Sequence, residues 1–190
     1  MKDLQQEANI NIFYIDTDPY KAAEQMVDRH VVKMILETAQ LLSTAHRLLD
    51  GEEYVGQSKS GRKARRWYLD DERENVLYSA THINHPSAVW CRQTNNNYNW
   101  LYCHLVGLCA EYTYRYGKIH KVQQNNEFMH MLQTLPKNIP TGYLTPVTPA
   151  MAEEYIVDKD SLASYRNYYK QGKTHLHKWT KRQPPAWLIA

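Results

Sequence analysis

Apolar residues recur at helical spacing over a long stretch in the first third of the chain. Between Ala22 and Leu49 they fall three or four residues apart, which is the period of one face of an α-helix. The preceding residues 16–19 read Asp-Thr-Asp-Pro and supply a capping side chain followed by a proline suited to the first helical position. The pattern predicts one or two long helices with a break near Asp28, ending at Asp50-Gly51.

Helical spacing continues through the rest of the chain, whereas alternating strand patterns are short and rare. The prolines between residues 136 and 149 predict a long irregular loop. Because 190 residues lie within the usual range of one domain, the sequence predicts an all-α fold, a compact single-domain helical bundle with long irregular loops. Residues 1–12 are expected to form an N-terminal extension and residues 180–190 an extended tail. Further helices are predicted over residues 69–80, 87–93, 98–117, 120–132 and 161–179.

The composition is not that of a membrane or secreted protein. No stretch approaches the roughly 20 apolar residues needed to cross a bilayer, and the N-terminus lacks the apolar core of a signal peptide. We therefore expect a cytoplasmic protein with no membrane partner. Cys91, Cys103 and Cys109 are an odd number without a CxxC pair, so we expect buried thiols rather than a disulfide framework or a zinc site.

The sequence contains no motif for a metal ion or an organic cofactor. The histidines of His175-x-His177, like His82 and His85, lack a carboxylate or cysteine at ligand spacing, and histidines two apart on a helix point to different faces. There is also no Gly-rich phosphate loop and no GxSxG motif. No cofactor and no metal site are therefore predicted, and no obligate protein partner is inferred.

Positive charge is concentrated in two segments, although the formal net charge of the chain is only +3. The first segment, residues 59–66, is predicted to lie in an exposed loop that follows Gly51. Positive charges packed this densely repel one another, which favours an anionic partner such as nucleic acid over a merely solvated loop. The residues of this segment expected to contact DNA are Arg62, Lys63, Arg65 and Arg66.

The second basic segment, near the C-terminus, is interleaved with aromatic residues. The chain has 15 tyrosines and 5 tryptophans but only 2 phenylalanines, so part of this aromatic set is expected at a wet surface or groove. Aromatic rings can stack on an extruded base while cations contact phosphates. The alternative is a helix whose tyrosines pack against the core and whose lysines are solvated. The residues concerned are Tyr165, Arg166, Tyr168, Tyr169, Lys170 and Lys173.

Three ionisable residues of the first long helix share one strip of its surface. His30, Lys33 and Glu37 stand at positions i, i+3 and i+7, while the apolar residues between them point toward the core. The strip is therefore predicted to lie at the border of the core, as one wall of a cleft. A lysine desolvated there becomes a nucleophilic amine, and the carboxylate one turn away can take its proton. The alternative is an exposed ion pair worth about 0.3–0.5 kcal/mol beside a hydrogen-bonded histidine.

Several short motifs, in order along the chain, resemble those of the phage-type pyrimidine-dimer DNA glycosylases. This family consists of small all-helical repair enzymes, and the resemblance covers about half of the chain. Each motif alone has low specificity, so the resemblance depends on their order. The motifs are Asp28-x-His30 followed by Glu37, Asn84-His85-Pro86 with Val89-Trp90, the helix from Tyr98 to Gly117 with Glu111 and Arg115, and the segment from Tyr165 to Lys170.

The resemblance implies that double-stranded DNA is the partner and that the reaction is base excision. In the family an amine attacks the sugar carbon that bears the damaged base, an imine forms, and the strand is nicked by β-elimination. Glu37 matches the essential glutamate, and His30 matches a histidine near the DNA backbone. His85 is expected to face the same cleft, and Arg92 is included among the residues expected to bind DNA.

The sequence departs from the family pattern at the nucleophile. In the family the N-terminal α-amine attacks, whereas here about ten residues precede the matching segment Asn11-Ile12-Phe13. Leu36 and Gln40 occupy the places of two arginines that flank the family's glutamate. Lys33 is therefore the predicted substitute nucleophile. Two other functions remain open: a non-catalytic DNA-binding protein, and an unrelated helical enzyme that uses the strip on a small substrate.

Overall fold

A computed structural model of the protein describes residues 10–190, and this part of the chain is mainly helical. Most of the N-terminal extension predicted for residues 1–12 lies outside the described residues, and residues 10–12 are buried. The elements are α1 (Pro19–Gln25), α2 (Asp28–Asp50), β1 (Glu52–Gln57), β2 (Lys63–Tyr68), α3 (Pro86–Cys91), α4 (Asn95–Tyr116), α5 (Lys121–Gln124), α6 (Asn126–Gln133), α7 (Ser161–Gly172) and α8 (Ala186–Ile189).

The first two helices begin and end where the sequence predicts. The carboxylate of Asp18 accepts hydrogen bonds from the backbone N–H groups of Tyr20 and Lys21, which caps α1. The predicted break before Asp28 is confirmed, since α2 begins at that residue. At the other end of α2, a Cβ on Gly51 would lie only 2.4 Å from the carbonyl oxygen of Arg47, so a side chain does not fit at this close approach.

Helix α4 packs against both α1 and α2, and these three helices enclose much of the core. The α4 helix ends at Gly117, whose φ of 66° is the left-handed conformation that glycine adopts at low cost. Each large apolar side chain buried here contributes about 1.5–3 kcal/mol to stability. Fully buried examples from the three helices and the preceding N-terminal segment are Ile12, Ile15, Ala22, Val31, Ile35, Leu42, Leu101, Leu105 and Leu108.

The basic segment predicted to be a loop is a β-hairpin instead. Strands β1 and β2 pair antiparallel, with Tyr54 opposite Arg66 and Val55 opposite Arg65. The guanidinium of Arg65 donates two hydrogen bonds to the carboxylate of Glu53, and it lies 5.1 Å from the ring centroid of the buried Trp67. These cross-strand contacts stabilise the hairpin. The all-α prediction is therefore wrong for this segment, although the remainder of the described chain is helical and irregular.

The segment after the hairpin also differs from the prediction, because residues 69–80 contain only the short 3-10 turn Glu72–Asn75. The buried guanidinium of Arg47 donates to the backbone carbonyls of Trp67, Glu74, Leu77 and Tyr78, at 2.8 to 3.1 Å. In a helix such carbonyls would accept hydrogen bonds from backbone N–H groups. Here they accept them from one side chain of α2 instead. The segment is held against α2 without becoming a helix itself.

In the C-terminal part of the chain the predicted irregular loop is confirmed, but the last helix is shorter than predicted. Residues 135–152 contain no helix or strand, in agreement with their prolines. Helix α7 ends at Gly172 rather than near residue 179. The tail includes the short helix α8, where the indole of Trp187 donates to the side chain of Gln25 at 2.7 Å, so the tail is packed rather than simply extended. Among residues 10–190, no helix is long and apolar enough to cross a bilayer.

Candidate functional site

A cleft of about 500 Å³ opens beside the first turns of α2. Five parts of the chain form its walls: the N-terminal segment, α2, the start of α3, the irregular loop, and the C-terminal end of α7 with the turn after it. The cleft therefore exists only in the folded chain. Its lining includes Asn11, Phe13, Arg29, His30, Lys33, His85, Pro86, Ala150, Tyr168, Lys173 and Leu176.

Asn11 fastens the N-terminal segment to three walls of the cleft. Its side-chain N–H group donates to the carbonyl of Ala150 at 2.8 Å, and its side-chain oxygen accepts the hydroxyl of Tyr165 at 3.0 Å. Its backbone N–H donates to the carboxylate of Glu37 at 3.2 Å. Asn11 was not among the residues predicted for the site, since nothing local in the sequence distinguishes it from other asparagines.

Phe13 is a second site residue that sequence reasoning missed. It has a φ of 57°, a left-handed backbone conformation that is strained for a residue with a bulky side chain. Its ring stacks on His30 with centroids 4.0 Å apart and planes inclined by 18°. It also stacks on Tyr168, at 6.1 Å. The strained residue thus places an aromatic ring in the wall of the cleft, next to the histidine of the predicted strip.

Lys33 and Glu37 are adjacent, as their spacing on α2 predicts. The ammonium nitrogen of Lys33 lies 3.3 Å from a carboxylate oxygen of Glu37. The side chain of Lys33 is 37% exposed and that of Glu37 is 12% exposed, so the pair spans the border between core and solvent. Burial raises the pKa of Glu37, against the opposing effects of Lys33 and of the Asn11 N–H group. The carboxylate is therefore positioned to hold a proton more readily than an exposed glutamate.

His30 is buried between two aromatic rings. Its Nδ1 lies 2.6 Å from the hydroxyl of Tyr169, and a face of its ring stacks on Phe13. Burial lowers the pKa of His30 well below its ordinary value, and the positive charges of Lys173 and Lys33 lower it further. The imidazole is therefore neutral at pH 7. His30 therefore forms part of the cleft wall through packing and a hydrogen bond, and it does not supply a positive charge that could bind a phosphate.

Three cationic side chains of the described residues line the cleft. Arg29 and Lys33 come from α2, and Lys173 comes from the end of α7. The ammonium of Lys173 is largely buried and lies 5.0 Å from the ring centroid of Tyr168 and 6.0 Å from that of Phe13. Aromatic faces stabilise a cation at these distances. None of the described residues that line the cleft is acidic, so the lining is basic and suited to an anion.

The aromatic C-terminal segment divides into core residues and one cleft residue. Tyr168 is also buried in the core, at 5% exposed, but it is the one of the three tyrosines that contributes to the cleft lining. Tyr165 and Tyr169 are fully buried, so the prediction that they stack on DNA bases does not hold in this structure. Their hydroxyls bond Asn11 and His30 instead, because helical spacing turns them toward the core. Both tyrosines therefore support the residues that form the cleft wall.

Two other predicted DNA contacts of α7 lie outside the cleft lining. Arg166 donates to the carbonyl of Ile15 at 2.9 Å, and its guanidinium lies 5.2 Å from the ring centroid of Trp187. Lys170 donates to the carbonyl of Ala190 at 2.9 Å. These contacts hold the N-terminal segment and the tail against α7. Within the described chain, both side chains therefore have structural partners.

The α3 helix places His85 in the cleft but not Arg92. His85 caps α3 by accepting the backbone N–H of Ser87 at 3.2 Å, and it lines the cleft, as expected. Burial and the neighbouring His82 lower the pKa of His85. Arg92 follows the last residue of α3, is half-buried, and does not belong to the cleft lining. The hairpin residues Arg62, Lys63, Arg65 and Arg66 also lie outside that lining.

A second, more apolar groove of about 620 Å³ borders the same pair of residues. Lys33 lines both the cleft and the groove, and Glu37 lines the groove. Sequence reasoning did not predict this groove, because its far wall comes from segments distant along the chain. The apolar residues along it include Val32, Leu36, Val76, Tyr78, Val122 and Phe128.

Several residues that carry the family resemblance form an ion network away from the cleft. The carboxylate of Asp28 accepts hydrogen bonds from Arg115 at 2.9 Å and from the backbone N–H of Thr180 at 2.8 Å. Arg115 and Arg182 both donate to Glu111. Burial alone would raise the pKa of Asp28, but the hydrogen bonds from Thr180 and Arg115 outweigh it and lower the pKa. The network joins α2, α4 and the C-terminal tail.

These residues define a basic cleft with aromatic walls and an amine–carboxylate pair at its edge. Such a cleft can bind an anion beside a planar ring, and the pair can exchange a proton or form a bond to a carbonyl-like carbon. Comparisons of the chain with protein-family models, with curated proteins and with solved structures found no match.

Proposed function

We propose that this protein is a DNA base-excision enzyme, a glycosylase with lyase activity that acts on a damaged or modified pyrimidine. The observation that carries the proposal is the Lys33–Glu37 pair at the edge of the basic, aromatic cleft. A glycosylase needs an activated nucleophile, a group that stabilises a cationic sugar, and a pocket for an extruded nucleotide. The cleft offers a residue for each of these roles.

The cations of the cleft support a phosphate-bearing substrate. Arg29, Lys33 and Lys173 lie on two of its walls, and none of the described residues in the lining is acidic. Contacts between such cations and backbone phosphates supply most of the sequence-independent affinity for DNA. A strand lying along the opening would have its phosphates near α2. The nucleotide facing the cleft would then enter it.

The aromatic walls support the binding of an extruded nucleotide. Phe13 and Tyr168 present neighbouring rings, and a base stacked on such rings recovers about 1–3 kcal/mol of the energy lost on leaving the duplex. A volume of about 500 Å³ is within the range of pockets that enclose small ligands. One nucleotide is therefore an appropriate occupant.

The chemistry proposed for the pair proceeds through an imine. Glu37 first takes a proton from the ammonium of Lys33. The resulting amine attacks C1′ of the sugar, the C1′–N bond breaks, and the leaving base carries away the electron pair and takes up the proton that Glu37 holds. The aminal opens to an imine between Lys33 and C1′. Removal of a proton from C2′ then expels the 3′-phosphate by β-elimination. Glu37 balances positive charge on the sugar and transfers the protons, a role that suits its raised pKa.

The second candidate is a non-catalytic DNA-binding protein with the same cleft. The 3.3 Å contact between Lys33 and Glu37 favours it, because an i,i+4 ion pair at a helix surface is a common structural feature. Under this alternative, the cleft would bind a nucleotide or an unpaired base without reacting with it. Trapping of the imine distinguishes the two candidates.

The test is borohydride trapping on a duplex that contains one thymine dimer. Borohydride reduces an imine to a stable amine, so the proposal predicts a covalent protein–DNA product that disappears in Lys33→Ala. The product should persist in Lys21→Ala, which removes an exposed lysine from α1. It should also persist when residues 1–9 are removed and disappear when that truncation is combined with Lys33→Ala, since the truncation leaves a new α-amine at residue 10 beside Asn11, whose backbone N–H contacts Glu37.

Absence of any trapped product with the wild-type protein, despite binding to the same duplex, would favour the non-catalytic candidate. A product that persists in Lys33→Ala but disappears on removal of residues 1–9 would transfer the nucleophile to the α-amine. Both outcomes are read on the same denaturing gel, since the covalent complex migrates more slowly than free DNA.

A further inference from the structure

The β1–β2 hairpin carries a concentration of positive charge that the cleft does not explain. Five cations and two glutamates give residues 52–68 a formal charge of +3, which equals the formal net charge of the whole chain. All five cations lie in the turn or in β2. The part of the hairpin farthest from α2 is therefore the most basic, and its residues are Lys59, Arg62, Lys63, Arg65 and Arg66.

The hairpin is exposed on both of its faces. Val55 is 71% exposed, and Tyr54 and Tyr68, on the opposite face, are about half exposed. Trp67, next to the base of the hairpin, is buried and anchors it. Six residue pairs at about 3.4 Å each make an arm of roughly 20 Å. A two-stranded ribbon of this kind has the width that the major groove of B-DNA accepts.

The same face of α2 connects the cleft to this arm. Lys33, Gln40 and Arg47 follow one another at intervals of seven residues and so lie along one face. Lys33 borders the cleft, Gln40 lines the apolar groove, and Arg47 holds the carbonyl of Trp67 at the base of the hairpin. Arg47 is buried beneath the segment that follows the hairpin, so α2 acts as a spacer between the two regions.

The length of α2 sets the distance between the two basic regions. The cleft involves Arg29 to Lys33, and the hairpin begins directly after Gly51. At 1.5 Å per residue the cleft and the base of the hairpin are about 30 Å apart along the helix axis, and the basic turn projects up to about 20 Å from that base. One turn of B-DNA measures about 34 Å, or about 10 base pairs. A duplex that presents a nucleotide to the cleft therefore presents its next turn to the hairpin.

We infer that the hairpin is a DNA-binding arm that enters the major groove about one helical turn from the nucleotide held in the cleft. The DNA in the cleft rests on the proposed function, whereas the charge and exposure of the hairpin do not depend on it. Duplex DNA fits both the dense positive charge and the ribbon shape. An anionic membrane surface would attract the charge alone.

The test compares variants of the arm with a charge-matched control. Lys59→Ala with Arg62→Ala removes two cations from the turn and leaves the Arg65–Glu53 contacts intact. Lys21→Ala with Lys159→Asn removes two exposed cations elsewhere, and asparagine tolerates the positive φ of residue 159. Binding to a 30-base-pair duplex is measured by fluorescence anisotropy between 50 and 200 mM salt.

If both removed cations contact phosphates, the log–log salt slope of the arm variant should be smaller by about 1.8, at about 0.9 for each contact. The control should keep the wild-type slope. Equal slopes for the arm variant and the control would overturn the inference.

Footprinting separates this inference from the proposed function. On a 30-base-pair duplex with one central tetrahydrofuran abasic analogue, hydroxyl-radical protection is expected at the analogue and again about 10 base pairs away. The arm variant should lose only the distant protection, and Arg29→Ala with Lys33→Ala should weaken the central one. Protection by the arm without any at the analogue would support the arm and contradict the proposed function of the cleft.

Central protection that is unchanged in the arm variant, with no distant region, would overturn the arm and leave the cleft proposal intact. Failure of the wild-type protein to bind any duplex would overturn both. In that case, charge-dependent binding to phosphatidylserine vesicles, lost in the arm variant, would identify a membrane surface as the partner of the hairpin instead.

Discussion

At the scale of single residues, Glu37 is the residue whose substitution is expected to affect the proposed reaction most. It touches Lys33 and the Asn11 N–H group and is largely buried. In Glu37→Gln the amide keeps the shape and can still accept the Asn11 N–H, but the negative charge is lost. We expect base-excision turnover to fall about 10²- to 10⁴-fold, the range of a general acid or base. DNA affinity should be unchanged or higher, because a negative charge leaves a basic cleft.

Single-turnover kinetics and anisotropy on the same dimer-containing duplex would measure the two effects separately. Glu127→Gln, an exposed glutamate at the start of α6, serves as the control for losing one negative charge. Wild-type turnover in Glu37→Gln would contradict the assignment, and the pair would then be an ordinary helix ion pair.

Tyr168 allows stacking to be tested with two substitutions at one position. Tyr168→Phe keeps the aromatic ring beside Phe13, whereas Tyr168→Leu keeps an apolar side chain without a ring. Stacking on a base contributes about 1–3 kcal/mol. DNA affinity should therefore fall about 5- to 150-fold in Tyr168→Leu and remain within about threefold in Tyr168→Phe. Equal affinities for the two variants, with both proteins folded by circular dichroism, would place Tyr168 among the purely structural tyrosines.

At the scale of secondary-structure elements, one arginine holds the segment between the hairpin and α3. Arg47 is buried, and its guanidinium satisfies backbone carbonyls from Trp67 to Tyr78 as well as the carboxylate of Glu74. Arg47→Met should lower the free energy of unfolding by about 3–5 kcal/mol, because the substitution leaves buried acceptors unpaired. Urea denaturation monitored by circular dichroism would measure the loss.

Arg65→Met is the control for this effect. Arg65 also pairs with a glutamate, but both partners are about half exposed, and such pairs contribute about 0–1 kcal/mol. A loss for Arg47→Met no larger than that for Arg65→Met would mean that water or neighbouring groups replace the guanidinium.

At the scale of the whole molecule, buried histidines connect stability to pH. Burial lowers the pKa of His46 to about 4 and that of His104 to about 4, from 6.5 in the unfolded chain. As pH falls from 6.5 toward 4, the unfolded chain takes up protons that the folded chain does not. Stability is therefore lost in this window, at about 1.4 kcal/mol per pH unit for each histidine. His30, whose pKa is also lowered by burial, acts in the same direction.

Unfolding free energies measured from pH 7 to pH 4.5 should show this decrease. His104→Phe removes one titrating group, so the slope of stability against pH should drop by up to one proton, even though the hydrogen bond to the Pro19 carbonyl is lost. Because the pKa of Glu37 is raised above 4.5, the folded chain holds a proton there that the unfolded chain releases at the same pH. This effect stabilises the fold as pH falls toward 4.5 and offsets only part of the stability lost through the histidines. An identical slope in wild type and His104→Phe would show that His104 is not buried as a neutral group.

The sequence by itself determined the features that depend on neighbouring residues. Helices α2 and α4 were predictable from apolar spacing, and Asp18 and Gly117 mark ends whose capping is local. The shared strip of Lys33 and Glu37 follows from helical geometry alone. Each of these features is set by interactions within a few residues, so no distant partner is needed to specify it.

Only the tertiary structure decided which residues share the cleft and which are removed from it. Asn11 reaches Ala150 and Tyr165 across more than 130 residues of sequence, and the strained Phe13 meets His30 only in the folded chain. The packing of the core decided which tyrosines of α7 are fully buried and which one lines the cleft. The hairpin depends in part on Arg47, a residue of another element. Such contacts join residues far apart in sequence, where no local periodicity can encode the partner.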